Sequence, residues 1–165
     1  MAEAIREVML SAWDESVDGL TELLLVFAAR NQHVCEEIRP RLARGQWVVC
    51  DRFTDATYAY QGTGRGLDPA QIATLERWVQ GQLQPHLTIY LDLDPQIGQS
   101  RISNRTLDRM EQESERFFAA VRQGYLDRVA AYDRFSLVDA SLPLAEVQAS
   151  VRDVVQAFIN RVADE

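Results

Sequence analysis

No apolar run in this sequence approaches the length a helix needs to cross a bilayer, so no membrane partner is expected. The opening MAEAIREVML has two glutamates and no basic n-region, which predicts no signal peptide. Only two cysteines are present, Cys35 and Cys50, and neither belongs to a CxxC pair. Buried free thiols in a reducing cytoplasm are the simplest expectation. His33 and His86 are far apart, and HExxH, EF-hand and GxSxG patterns are missing. Metal catalysis through protein ligands is therefore not expected, although magnesium delivered with a nucleotide stays open. Basic residues are in deficit, with 17 Lys+Arg against 25 Asp+Glu and a net charge of -8. That disfavours a nucleic-acid surface. It leaves room for a small anion held by a local group of arginines.

What is present fits one soluble globular domain: 165 residues, 47% apolar and 25% charged. Apolar spacing predicts helices over Glu3 to Leu10 and Leu20 to Ile38, the second interrupted by Pro40. WVVC at Trp47 to Cys50 is apolar throughout, as expected of a strand covered on both faces. A polar connection runs from Asp51 to Gly66, with helical character around Ala56 to Tyr60. A helix follows from Pro69 to about Val79, then a strand at Leu87 to Leu93. Helices are expected from Pro95 through Ser100, from Phe117 to about Tyr132 and from Leu144 almost to the end, with a strand at Phe135 to Ala140 between the last two. Strands alternating with helices give α/β order and a parallel sheet, whose strand ends form the ligand edge. Three strands are few for so many helices.

Four motifs carry candidate chemistry, the first of them at that edge. DRF at Asp51 to Phe53 puts Arg52 where it can clamp a phosphate or simply pair with Asp51. FAAR spaces Phe27 and Arg30 three apart on one helix face, for stacking on a planar ring or for core and surface roles. YQGTGRG, Tyr60 to Gly66, lacks the lysine and the serine or threonine of a Walker A loop, and on its residues alone a mobile surface loop is the favoured reading. Arg101, Arg105 and Arg109 recur every four residues. On one helix they form a basic stripe, either solvated or serving as a lid over transferring phosphates.

The ordered set ELLLVFAARNQH, CDRFTDATYAYQGTGRG, LTIYLDLDPQIG, LDRMEQE and VDASLPLAEV resembles bacterial thymidylate kinase over essentially the whole chain. The resemblance implies a P-loop nucleoside monophosphate kinase-like fold, α/β in three layers with a parallel sheet. It is expected as one domain, 1–165, with a lid at about 99–115. The implied activity is phosphorylation of dTMP to dTDP with ATP and Mg2+, by a cytoplasmic homodimer. By the same resemblance Arg30 holds the thymine edge, with Phe27 as the stacking ring. Arg52 binds the dTMP phosphate, Thr57 contacts the base, Tyr60 lies against the sugar and Gln61 supports the pocket. Arg101, Arg105 and Arg109 reach the ATP phosphates, and the turn Asp139, Ala140, Ser141 packs near adenine.

Three departures accompany the resemblance. Many family members place phenylalanine where Val26 stands, and the lid is about one residue short. The family's first two strands and P-loop, about 40–50 residues by usual element lengths, have no counterpart in these 165. The expectation is therefore a domain truncated at its N-terminal side, with weak or no activity by itself. The alternative is a non-catalytic, nucleotide-binding or dimerising remnant.

Overall fold

The computed structural model describes residues 1–102 and 107–164. Helix α1 (Ala2–Leu10) buries no side chain completely, and packs against α2 (Gly19–His33). Asp18 starts α2 by accepting the Leu20 amide at 2.9 Å, satisfying one of the free donors of the first turn. The helical path continues through a π-helical segment, Val34–Ile38, into α3 (Arg39–Ala43). Pro40 thus does not break the helix, as its sequence position suggested. The wider π turn precedes it, and the ring sits in the first turn of α3, where a missing N–H costs little.

Trp47 to Cys50 is not a strand. Val49 is 97% exposed and Trp47 touches only the rim of the fold, edge-on to Phe158 with ring centroids 5.8 Å apart. A strand forms only when a neighbour takes its backbone N–H and C=O groups, and none among the described residues lies beside this stretch. Cys35 and Cys50 are likewise exposed thiols rather than buried ones.

Short α4 (Thr54–Thr57) runs directly into a second π-helical segment, Tyr58–Gly64, where the sequence suggested a mostly irregular connection. Gly66, at φ +75°, ends it. Helix α5 (Pro69–Gln80) follows, capped by Asp68 and opened by its proline. Strands β1 (Thr88–Asp92) and β2 (Phe135–Asp139) pair in parallel, with Thr88 opposite Phe135 and Asp92 opposite Asp139. Between them lie α6 (Pro95–Ile102) and α7 (Glu115–Ala131), and α8 (Leu144–Ala163) closes the chain. Two of the three expected strands therefore pair as foreseen. The sheet leaves Leu91 and Leu137 about half exposed, at 49% and 48%.

The core lies around the π-helical segment Tyr58–Gly64. On one side Leu23, Phe27 and Ile72 join α2 to α5, and on the other Ala59, Met110, Phe117 and Val121 join the segment to α7. The approach to α7 is close. A Cβ on Gly124 would stand 2.6 Å from Thr63 Oγ1 and 3.0 Å from the Ala59 Cα. Because one of those atoms is backbone, Gly124→Ala is expected to cost about 1–3 kcal/mol by overpacking, measured by urea unfolding.

Candidate functional site

Every basic side chain here is arginine, since the chain has no lysine. Each therefore brings a planar fork of donors, and where those forks point defines the site. Arg30 leaves α2 toward α4. Its Nη2 donates to Thr57 Oγ1 at 2.8 Å and to the Phe53 carbonyl at 3.2 Å. The guanidinium lies over the rings of Phe27 at 4.8 Å and Phe53 at 5.4 Å. Burial pulls its pKa down to about 10, against the pull of nearby acidic groups, so it stays cationic at neutral pH. Its Nη1 is buried and has no hydrogen-bond partner among the described residues. An oriented, dry cation with one unused donor is costly unless something accepts from it.

Arg52 holds φ at 62°, the one non-glycine residue with positive φ among those described. A left-handed conformation without glycine costs energy and tends to persist where a side chain must be aimed. Its guanidinium stands 5.4 Å from the Tyr60 ring. Tyr60 meets Phe117 and Tyr125 edge-on, at 6.1 and 6.4 Å, and Tyr125 stacks on Tyr90 at 4.8 Å. Burial, with Tyr60 and Tyr90 nearby, pushes the Tyr125 hydroxyl upward, keeping it a neutral donor. Phe27, Arg30, Arg52, Thr57 and Tyr60, singled out from the sequence, thus stand around α4 and the segment after it. Gln61 faces the other way: it is buried, and its amide donates to Glu22 at 3.3 Å.

A second group forms beyond the C-terminal end of β2. Asp139 accepts the Ser141 amide at 2.8 Å and the Ser141 hydroxyl at 2.6 Å, which hold its carboxyl below the usual range. From α6, Arg101 donates to the carbonyls of Ala140 at 2.9 Å and Ser141 at 3.4 Å. Arg101 and the Asp139–Ser141 turn are therefore neighbours. Among the described residues Arg101 and Arg109 do not share a helix, because α6 spans Pro95–Ile102 and Arg109 lies in a turn. Arg105 falls outside the described residues. Arg109 points instead at α2, where its Nη1 meets Glu22 Oε1 at 2.7 Å.

Sequence reasoning missed Glu22, Asp55 and Asp92 as centres of charge. Glu22 is fully buried and also receives Arg65 at 2.8 and 3.1 Å. Burial pushes its carboxyl up, but the hydrogen bonds from Arg65, Arg109 and Gln61 outweigh that and hold it below its ordinary value of 4.5. Its stabilisation is thus present above that value and is lost as the pH falls below it. The signal was available: Glu22 lies eight residues before Arg30, two steps of four along the same inward face. Asp92, at the end of β1, takes a bidentate pair from Arg122 with both contacts at 2.8 Å.

Among the described residues no three His, Cys, Asp or Glu side chains gather as a metal would require. Nor is any helix of the described residues long and apolar enough to cross a membrane.

The chain is similar to known proteins over most of its length. The thymidylate kinase family matches residues 1–151. The thymidylate kinase of Pseudomonas savastanoi pv. phaseolicola is 60% identical over 153 residues, 92% of this chain and 73% of that protein. That of Pseudomonas fluorescens is 54% identical over 163 residues, covering 98% of this chain and 78% of its own length. That of Teredinibacter turnerae is 51% identical over 161 residues, covering 96% and 78%.

Proposed function

This chain belongs to the thymidylate kinase family of phosphotransferases, and from that premise we propose that it binds dTMP as phosphoryl acceptor, with ATP as donor. The observation that carries the reading is Arg30: a buried guanidinium between two rings, tied to Thr57, with Nη1 unpartnered. A thymine edge offers the acceptor that this nitrogen lacks; Phe27 is only 2% exposed and packs in the core beneath the guanidinium, so the half-buried Phe53 offers the stacking face. Arg52 takes the dTMP phosphate and Tyr60 flanks the sugar. On the donor side, Arg101 stands beside the Asp139–Ser141 turn and is assigned to the ATP phosphates, and the family resemblance gives Arg105 and Arg109, in the lid at about 99–115, the same role. The Asp139–Ser141 turn lies near adenine. A dTMP phosphate oxygen attacks the γ-phosphorus, the bond to the bridging oxygen breaks, and ADP leaves. These arginines neutralise charge on the transferring group. Mg2+ would arrive with the nucleotide and offset phosphate charge.

The 165 residues contain no Walker A motif, whose backbone N–H groups and lysine would hold the β- and γ-phosphates. We therefore read the 165-residue polypeptide by itself as competent to bind dTMP and weak or inactive in transfer, in a cytoplasmic setting. Homodimerisation belongs to this reading. Leu20 and Leu24 of α2 and Trp78 of α5 are exposed at 44%, 51% and 78%, on helices that pack together.

Calorimetric titration with dTMP, dAMP, dCMP and dGMP tests the assignment. We expect dTMP to bind at least about tenfold more tightly than the others, the scale of discrimination one pocket contact supplies. Tighter binding of another monophosphate would point to a kinase of different acceptor. Binding of none would leave a dimerising remnant. Normal turnover by the 165-residue chain in a coupled assay would contradict the reading that its transfer is weak.

A further inference from the structure

Glu22 is a fully buried carboxylate on α2, with no role assigned to it above in holding either nucleotide. Its contacts nevertheless span the molecule. Oε1 accepts Arg65 at 2.8 Å and Arg109 at 2.7 Å. Oε2 accepts Arg65 Nε at 3.1 Å and Gln61 at 3.3 Å. Gln61 belongs to the π-helical segment that also carries Tyr60, and Arg65 follows it. Arg109 belongs to the turn that follows α6 and the undescribed residues 103–106.

Arg109 is clamped a second time. Its Nε donates to the Met9 carbonyl at 3.0 Å and its amide to the Leu10 carbonyl at 3.3 Å, both at the end of α1. Arg65 reinforces the same turn through Glu113 at 2.6 Å and lies 4.6 Å from the Phe117 ring. Arg109 Nη2 has no hydrogen-bond partner among the described residues, so one donor of the fork is left over. Two cations on one carboxylate are more than its neutralisation requires. A surface ion pair would contribute little, but a buried carboxylate with several charge-assisted bonds defines geometry.

We propose that Glu22 is the positioning residue of the site, fixing Arg109 and the helical wall that carries Tyr60 in one frame. The inference rests on reading Tyr60 as part of the acceptor pocket and Arg109 as serving the donor side. It adds the element that sets their mutual geometry. Filling the pocket then steadies the turn at 107–113, because both hang from one carboxylate.

The test is amide hydrogen exchange on the whole 165-residue chain and on Glu22→Gln, without ligand and with saturating dTMP. Glutamine keeps the volume and one acceptor but removes the charge shared by two arginines. Without ligand, exchange at 8–11 and 107–113 is expected to rise about tenfold or more, because hydrogen bonds to a charged group exceed that factor. Exchange in α5 and α8 should stay within about twofold. With dTMP, the wild-type turn should gain protection that the variant does not. A uniform rise would mean a merely structural residue and would overturn the proposal. So would no rise, or dTMP-induced protection that survives in the variant. If Glu22→Gln does not fold, Arg109→Gln replaces it. That variant leaves Glu22 neutralised by Arg65 and should open the same turn locally; unchanged exchange there would equally overturn the proposal. A wild-type chain that fails to bind dTMP defeats the acceptor assignment instead, and the ligand-free comparison then decides the clamp alone.

Discussion

Asp55→Ala is expected to destabilise the chain by about 3–5 kcal/mol, the cost of leaving buried charge without its partner. The Asp55 side chain is only 5% exposed, and it takes Arg128 and Arg134 from opposite ends of the α7–β2 connection. Arg128 Nε meets Oδ1 at 2.8 Å, and Arg134 Nη2 meets both oxygens at 2.8 and 2.9 Å. Both guanidinium groups are stacked as well: Arg128 lies 4.1 Å from the Tyr58 ring, and Arg134 4.7 Å from Phe135. The aromatic contacts hold the two cations in place, so neither can swing to water when the carboxylate is removed. The Arg134 carbonyl also accepts the Thr88 amide at 2.8 Å, linking this cluster to the start of β1. Thermal unfolding should show a midpoint lower by roughly 6–20 °C, from about 2–4 °C per kcal/mol for a chain of this size. Asp55→Asn, which keeps an acceptor, should fall between wild type and alanine. A loss below about 1 kcal/mol for alanine would mean that the arginines find other partners, and that the cluster does not hold α4 to the sheet.

Arg30→Met should leave the fold close to intact and weaken dTMP binding by about 100-fold or more, the usual scale for removing one partner of a buried, charge-assisted contact. Methionine replaces the aliphatic stem between Phe27 and Phe53, so packing is largely retained. What disappears is the fork that joins Thr57 Oγ1 and leaves Nη1 free. Arg30→Lys separates charge from geometry. Lysine keeps the charge but donates as a point, so it should recover only part of the affinity. Titration calorimetry at matched ionic strength measures all three proteins. Affinity within about threefold of wild type for the methionine variant would remove Arg30 from the acceptor site.

Much of the fold was legible because much of it is local. Helices α2, α5, α7 and α8 follow from apolar spacing, and Asp18 and Asp68 stand as caps where the sequence begins α2 and α5. The stretches around Leu87 and Phe135 were legible as strands, and they pair in parallel as β1 and β2. Trp47 to Cys50 is apolar throughout and still does not form a strand, because β-structure depends on a neighbour that composition cannot supply. The close packing of α7 on Tyr58–Gly64 depends on Gly64 and Gly124, whose missing side chains leave room for it.

The candidate site divides the same way. Arg30 with Phe27, Arg52 after the apolar stretch, and the Asp139–Ser141 turn are visible as motifs, because each motif spans a few residues. The aim of each arginine is not. Arg101 and Arg109 share a four-residue rhythm with Arg105, yet Arg101 meets the turn after β2 and Arg109 meets Glu22, 87 residues away in sequence. Asp55 is 79 residues from Arg134. The order of motifs along the chain determined the family, and apolar spacing determined most of the helices. Which carboxylate each arginine faces, and hence which remain free for a ligand, was decided only when the packing of α2, the π-helical segment and α7 excluded water. In that setting a guanidinium goes to whichever carboxylate is within reach, whatever the sequence distance.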